Sequence, residues 1–291
     1  MNVKIIEPSG FCIGVRQAIK IAIKAKKDNP FKNVYVLGKL VHNDDALNKL
    51  NKEGVITLYK ENTKYIDLID EINDNNALII LTAHGHEKII ETKLKEKNIQ
   101  FIDATCPFVT QSFNEILKAI KNNHQVIYIG KRNHPEANAA LSIDKNIFLY
   151  ELHKDFDFNQ IEDKSPLVIA QTTFSKYEVL NVMELIKQKI PHAKFINGVC
   201  HASTLRQDAI MNLENNFDAL YIVGGKDSNN TRTLFELAKS QYPNKKIFMI
   251  QNKNDINKKD LLGLSSILIA SGTSTPSFIL EEIKGYLETI E

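Results

Sequence analysis

Cys12, Cys106 and Cys200 are the chain's only cysteines, and they are evenly spaced: the two intervals, 106 − 12 and 200 − 106, are each 94 residues. The segments downstream of the cysteines repeat as well. After Cys12 comes "IGVRQAIKIAIKAKKDNPFKNVYVLG", after Cys106 "PFVTQSFNEILKAIKNNHQVIYIG" and after Cys200 "HASTLRQDAIMNLENNFDALYIVG". Each stretch starts with apolar residues at helical spacing: Ile19, Ala22 and Ile23, then Phe113, Ile116, Leu117 and Ile120, then Ala209, Ile210 and Leu213. Each then crosses a polar turn into a β-rich run that ends on a glycine, Gly38, Gly130 or Gly224. A second apolar run comes next ("VITLY", "NIFLY", "KIFMI"), then a third that ends in small polar residues ("ALIILTAHG", "PLVIAQTT", "SSILIASGTST"). Another helical stretch leads through "FIDATC" or "FINGVC" to the next cysteine.

This is a repeat of domain size, longer than a solenoid repeat. Alternation of strand and helix predicts an α/β fold of three small parallel-sheet units flanked by helices. The expected units are residues 13–105, 106–199 and 200–291. The last lacks a closing strand, and the spare N-terminal strand "VKIIE", within residues 1–12, is expected to supply it. Three similar units commonly pack about a pseudo-threefold axis, which would bring equivalent residues together. In parallel α/β sheets function gathers at the carboxyl ends of the strands, where the cysteines and the small polar residues fall. The polar stretch "YELHKDFDFNQIEDKS" reads as a surface loop with a helical turn.

A net charge of +2 gives no reason to expect a nucleic-acid or anionic-membrane partner. No apolar run reaches the length of a membrane span, and the N-terminus lacks a signal-peptide core. Three cysteines far apart argue against a disulfide framework and suit a reducing cytoplasm.

Each cysteine is expected at a strand-to-helix junction, where unpaired N–H groups and the helix dipole stabilise a thiolate. Structural zinc prefers closely spaced pairs, and the chain has none. Three converging thiolates without a fourth suit a [4Fe–4S] cluster with one iron open to substrate. Three inert buried thiols satisfy the spacing equally well.

Neutral polar residues recur at matched offsets around this position. His42, His134 and Ser228 lie four residues past their glycines, and Asn230 six past Gly224; His84, Thr172 and Ser274 come after the third strand. Histidine, serine and asparagine donors around one cavity can wrap an anion such as a diphosphate. A capping role is the competing reading for Ser228 and Asn230, and it is compatible with binding at a helix N-terminus. His86, His124, His153 and His192 read as surface or capping residues. Glu136, beside a His-Pro turn, is either a first-turn residue favoured by the dipole or a buried carboxyl that delivers a proton, with Thr172 as relay.

Taken in order, "GFCIGVRQAI", "VHN", "TAHG", "DATCPFVT", "HPE", "QTT", "GVCHAST", "GKDSNNT" and "SGTSTP" span nearly the whole chain. The sequence resembles the 4-hydroxy-3-methylbut-2-enyl diphosphate reductase family of the methylerythritol phosphate route to isoprenoids. The resemblance implies a trefoil of three α/β units around a central [4Fe–4S] cluster, one per chain, with Cys12, Cys106 and Cys200 as ligands. It implies that His42, His84, His134, Ser228, Asn230 and Ser274 surround the substrate diphosphate, and that Glu136 with Thr172 governs proton delivery to the departing hydroxyl. Two positions depart from the family's usual pattern. Asn229 stands where serine is common, and Ser203 where threonine is common; both keep a polar side chain at the substrate site. The resemblance also implies a cytoplasmic enzyme with ferredoxin or flavodoxin as electron donor. The rival readings are an iron–sulfur dehydratase, a zinc-site protein and a non-redox diphosphate-binding protein with buried thiols.

Overall fold

The structure is a computed structural model that describes residues 1–290. The chain opens with β1 (Asn2–Ile5) and α1 (Ile13–Asp28). Then come β2 (Asn33–Leu37), α2 (Asp44–Lys52), β3 (Val55–Leu58), α3 (Tyr65–Asp70), β4 (Ala77–Leu81), α4 (Lys88–Glu96) and β5 (Gln100–Asp103). The middle stretch holds α5 (Pro107–Lys121), β6 (Val126–Ile129), α6 (Pro135–Leu141), β7 (Ile147–Tyr150), β8 (Leu167–Ala170), α7 (Lys176–Lys189) and β9 (Lys194–Ile196). The last holds α8 (His201–Met211), β10 (Ala219–Val223), α9 (Asn229–Gln241), β11 (Lys246–Ile250), β12 (Ser266–Ser271) and α10 (Ser277–Glu288).

Among the described residues these strands make three four-stranded sheets, ordered β3-β2-β4-β5, β7-β6-β8-β9 and β11-β10-β12-β1. Every pairing is parallel. The three orders are the same pattern. β1 fills the place that β5 and β9 hold in their sheets, pairing with β12 from Asn2 opposite Ser266 to Ile5 opposite Ile269.

The central strands "ALIIL", "VIYI", "LVIA" and "ALYIV" are buried along their whole length, as parallel strands covered on both faces must be. Alternation sends their side chains to opposite layers. In the middle sheet Val126 and Tyr128 pack with Ile116 and Ala137, while Ile127 and Ile129 pack with Val179 and Ile186. In the C-terminal sheet Tyr221 and Ile269 pack with Ile279 and Ile283, and Leu220 and Ile222 with Ile210 and Leu234. The polar stretch after β7 is a loop with a single 3-10 turn, Phe158–Gln160, whose Phe156, Phe158 and Ile161 are drawn onto the core.

Two compact units result. One consists of residues 1–15, 41–48 and 200–291 and contains the C-terminal sheet; the other consists of residues 16–40 and 49–199 and contains the remaining two sheets.

Candidate active site

Because all strands of a sheet run parallel, their carboxyl ends share one edge, and the expected site residues lie in the loops and first helical turns there. In the unit that holds the C-terminal sheet, Cys200 is the N-cap of α8, with φ −69° and ψ 150°. Its Sγ lies 3.2 Å from Ser203 Oγ. Ser203 Oγ in turn accepts from Asn230 Nδ2 at 3.0 Å, and Asn230 Oδ1 accepts from the Thr273 N–H at 2.9 Å. One chain of hydrogen bonds therefore joins the starts of α8 and α9 to the exit of β12. Ser228 caps α9 by accepting the Thr231 N–H at 3.3 Å, and Asn229 is the helix's first residue, partly buried. Ser274 is 5% exposed, and its Oγ is buried without a hydrogen-bond partner among the described residues. Cys12 precedes α1; its Sγ accepts the Val15 N–H at 3.4 Å and its own N–H donates to Thr273 O at 3.0 Å.

His42 belongs to this unit through residues 41–48. Its carbonyl oxygen lies so close to Gly225 that a Cβ there would overlap it. The segment is held beyond His42 as well. Asn43 Oδ1 accepts the Ala46 N–H at 2.9 Å, Gln251 Nε2 donates to Asp44 at 2.8 Å and Asn252 Nδ2 donates to Asp45 at 3.3 Å.

The other unit carries Cys106, His84, His134, Glu136 and Thr172. Cys106 is the N-cap of α5, with Pro107 in the first turn, and its N–H donates to Ala83 O at 3.0 Å. Ala83 and Thr273 both stand two residues past the third strand of their sheets, so Cys106 and Cys12 are tied down in the same way. The His84 and His134 rings meet edge to face, 5.6 Å between centroids. His134 Nδ1 accepts the Glu136 N–H at 3.2 Å, which leaves the proton of the neutral ring on Nε2.

Glu136 is fully buried, in the first turn of a short helix whose Ala137 and Ala140 face the core. Oε1 accepts from the Thr172 N–H at 2.8 Å and from the Tyr128 hydroxyl at 3.2 Å; Oε2 accepts from Thr172 Oγ1 at 2.7 Å. Burial raises its pKa from 4.5 to about 7, against the opposing pull of the Thr172 and Tyr128 hydrogen bonds. The same burial, with Glu136 alongside, pushes the Tyr128 phenol well above its ordinary value. A carboxyl poised near neutrality in a dry site is suited to proton transfer. Sequence reasoning does not single out Tyr128 as a partner, although the alternation of "VIYI" puts it on the same face as the α6 contacts. His86, expected at the surface, is 9% exposed and hydrogen-bonds Glu91 of α4 at 3.1 Å.

Among the described residues no three Cys, His, Asp or Glu side chains form a cage for a single ion. Ligands to one ion share one coordination sphere, whereas an iron–sulfur cluster takes its thiolates on separate irons. None of the three cysteines is in a disulfide, all are partly buried, and each begins a helix. That donor set fits a thiolate-bound cluster.

A family model described as LytB protein matches residues 3–288. A relative from Bacillus subtilis named 4-hydroxy-3-methylbut-2-enyl diphosphate reductase is 32% identical over 293 residues, covering 100% of this chain and 92% of the relative. One of the same name from Malacoplasma penetrans is 36% identical over 297 residues, covering 99% and 97%. Among solved structures, the E-1-hydroxy-2-methyl-but-2-enyl-4-diphosphate reductase from Plasmodium falciparum superposes with a TM-score of 0.83 at 26% identity, covering 99% of this chain and 87% of that one. A second, described as (E)-4-hydroxy-3-methyl-but-2-enyl diphosphate reductase, the terminal enzyme of the non-mevalonate pathway, gives 0.68 at 29% identity with full coverage of both chains.

Proposed function

The chain belongs to the LytB family, and from that membership we infer that it is a 4-hydroxy-3-methylbut-2-enyl diphosphate reductase. It removes the allylic hydroxyl of (E)-4-hydroxy-3-methylbut-2-enyl diphosphate to give isopentenyl and dimethylallyl diphosphate, the last step of the non-mevalonate pathway.

We propose that Cys12, Cys106 and Cys200 hold one [4Fe–4S] cluster per chain, Cys12 immediately preceding and Cys106 and Cys200 opening three functional units, residues 13–105 (with 1–12 completing the last), 106–199 and 200–291. When bound, such a cluster supplies single electrons and a Lewis-acidic open iron. The protein's own side chains bind, orient and protonate. His42, Ser228, Asn229, Asn230 and Ser274, with His84 and His134, receive the diphosphate. Support for this comes from the Ser274 hydroxyl, buried with its hydrogen-bonding capacity unused, and from Ser228 at the start of the thirteen-residue helix α9, where N–H groups favour an anion. Ser203 contributes through Asn230, whose amide it fixes, and through the Cys200 thiol.

Glu136 gives its proton to the departing hydroxyl oxygen as the C–O bond breaks and water leaves. Two electrons and a second proton complete the new C–H bond, and the overall reaction consumes two of each. Thr172 aims the carboxyl and re-supplies its proton through Oγ1. The observation that carries this role is the burial of Glu136 with both oxygens hydrogen-bonded and its pKa near 7, which keeps a transferable proton on it at neutral pH. The electrons come from a ferredoxin or flavodoxin, and the enzyme works in the cytoplasm; no helix among the described residues is long and apolar enough to cross a membrane.

The test is anaerobic purification with iron and sulfide analysis, then turnover of the allylic diphosphate with and without reductant. A brown protein whose turnover needs reductant is expected. A colourless protein without iron, or turnover that continues without reductant, refutes the reading.

A further inference from the structure

Helix α8 buries a charge that its sequence gives no reason to bury. Arg206 is 5% exposed, six residues past Cys200. A guanidinium is costly to bury unless its donors are matched. Here Nη2 donates to Gly10 O at 2.6 Å, Nε to Ser271 O at 3.1 Å and Nη1 to Ala202 O at 3.2 Å. The three carbonyls belong to the loop that delivers Cys12, the exit of β12 that leads to Ser274, and the first turn of α8 behind Cys200.

The Cys12 loop is fastened along β12 by Ile6 N to Ile269 O at 2.8 Å, Gly10 N to Ser271 Oγ at 3.1 Å and Cys12 N to Thr273 O at 3.0 Å. Gly10 sits at φ +73°, and a Cβ there would run into the Ser277 side chain, so the loop's path is closely fixed. Those bonds orient the loop to the sheet. The bond from Arg206 to Gly10 joins it to α8.

We propose that Arg206 is a positioning residue that fixes Cys12 relative to the helix capped by Cys200, so that both thiols of this unit are presented together. The fork geometry is needed. A lysine offers one point of donation and cannot reach three carbonyls at once. The clamp itself stands on the hydrogen bonds; its consequence for a cluster rests on the cysteine assignment proposed above.

The experiment measures iodoacetamide alkylation of each cysteine by mass spectrometry in apo-protein, for the wild type, Arg206→Gln and Arg206→Lys. Cys106 is the internal reference, since it lies in the other compact unit and is tied to Ala83. Loss of a buried hydrogen-bonding partner that holds a loop is expected to raise the Cys12:Cys106 rate ratio roughly tenfold in Arg206→Gln, with Arg206→Lys in between. An unchanged ratio in Arg206→Gln overturns the proposal. If that variant unfolds and exposes all three thiols alike, the ratio is read in Arg206→Lys, where no rise likewise overturns it. In a second arm the reconstituted proteins are exposed to an iron chelator. Arg206→Gln is expected to lose its visible absorption roughly tenfold faster than the wild type, and equal rates overturn the cluster consequence. A wild type that takes up no iron removes the cysteine assignment and that consequence with it, while the alkylation ratio still decides the clamp.

Discussion

Glu136→Gln is expected to stabilise the protein above pH 5 while slowing the reaction severely. The substitution keeps the shape of the side chain and its hydrogen bonds. The amide oxygen can take the Thr172 N–H and the Tyr128 hydroxyl, and the amide nitrogen can donate to Thr172 Oγ1. What it removes is a titration. Below the unfolded value of 4.5 the carboxyl is protonated in both states and costs nothing. Between 4.5 and about 7 the unfolded chain ionises while the folded protein retains the proton, so wild-type stability falls by as much as ~1.4 kcal/mol per pH unit. Above about 7 the folded carboxyl ionises too, and the loss levels off at about 3 kcal/mol. The gap in unfolding free energy between variant and wild type should therefore be about 1 kcal/mol at pH 5, about 2 at pH 6 and about 3 at pH 8, every other titration cancelling. Urea unfolding of the two apo-proteins at those pH values, followed by circular dichroism, measures it. Turnover of the reconstituted variant should fall by roughly 10²–10⁴-fold with KM little changed, since the proton moves only in the transition state. A gap that is the same at every pH, or that shrinks as pH rises, would refute the claim that burial keeps this carboxyl protonated.

Thr172→Val removes the donor to Glu136 Oε2, so the carboxyl's pKa should rise further and the alkaline limb of the kcat profile should move to higher pH; stability at neutral pH should drop by about 1–3 kcal/mol for the stranded oxygen. Gly225→Ala forces the His42 carbonyl off its seat, and the expected result is a higher KM for the diphosphate substrate, with a loss of about 1–3 kcal/mol in urea unfolding from overpacking. Asn230→Asp puts a second buried carboxyl against the Thr273 N–H and removes the donor to Ser203. Its stability deficit relative to the wild type should widen between pH 5 and pH 8, as read from urea midpoints at the two values.

The strand–helix alternation was legible because it is local. Central strands buried on both faces must be continuous apolar runs, and "ALIIL", "VIYI", "LVIA" and "ALYIV" are. The closing role of β1 could be read from a missing strand elsewhere in the pattern. Other features depend on contacts between distant residues, and no local pattern signals them. Residues 41–48 join the C-terminal sheet's unit because Gly225, Gln251 and Asn252 receive them. Arg206 occupies a position that reads as an ordinary polar helix residue, yet carbonyls from segments 196 and 65 residues away along the chain make it a buried one. The stretch after β7 is polar on average, and its few aromatic residues still fold inward. For Glu136 the sequence allowed two readings, because what separates them is Tyr128 and Thr172, contributed by β6 and by the loop after β8.

The three copies also show why one carboxyl rather than three is buried and protonated. Six residues past Gly38, Gly130 and Gly224 stand Asp44, Glu136 and Asn230. In the last two copies the side chain turns inward and accepts the N–H of the residue two past the third strand, Thr172 at 2.8 Å for Glu136 and Thr273 at 2.9 Å for Asn230. The backbone thus offers the same donor twice. Where an amide meets it the group stays neutral at every pH and spends its own N–H on Ser203; where a carboxyl meets it, burial leaves a proton that can be given up near neutrality. The first copy breaks the pattern differently. Asp44 is exposed and bonded to Gln251, and does not turn inward toward Ala83, the residue two past β4. The repeat therefore supplies equivalent backbone positions, and the choice of aspartate, glutamate or asparagine at one of them decides where a buried carboxyl that titrates near neutrality is found.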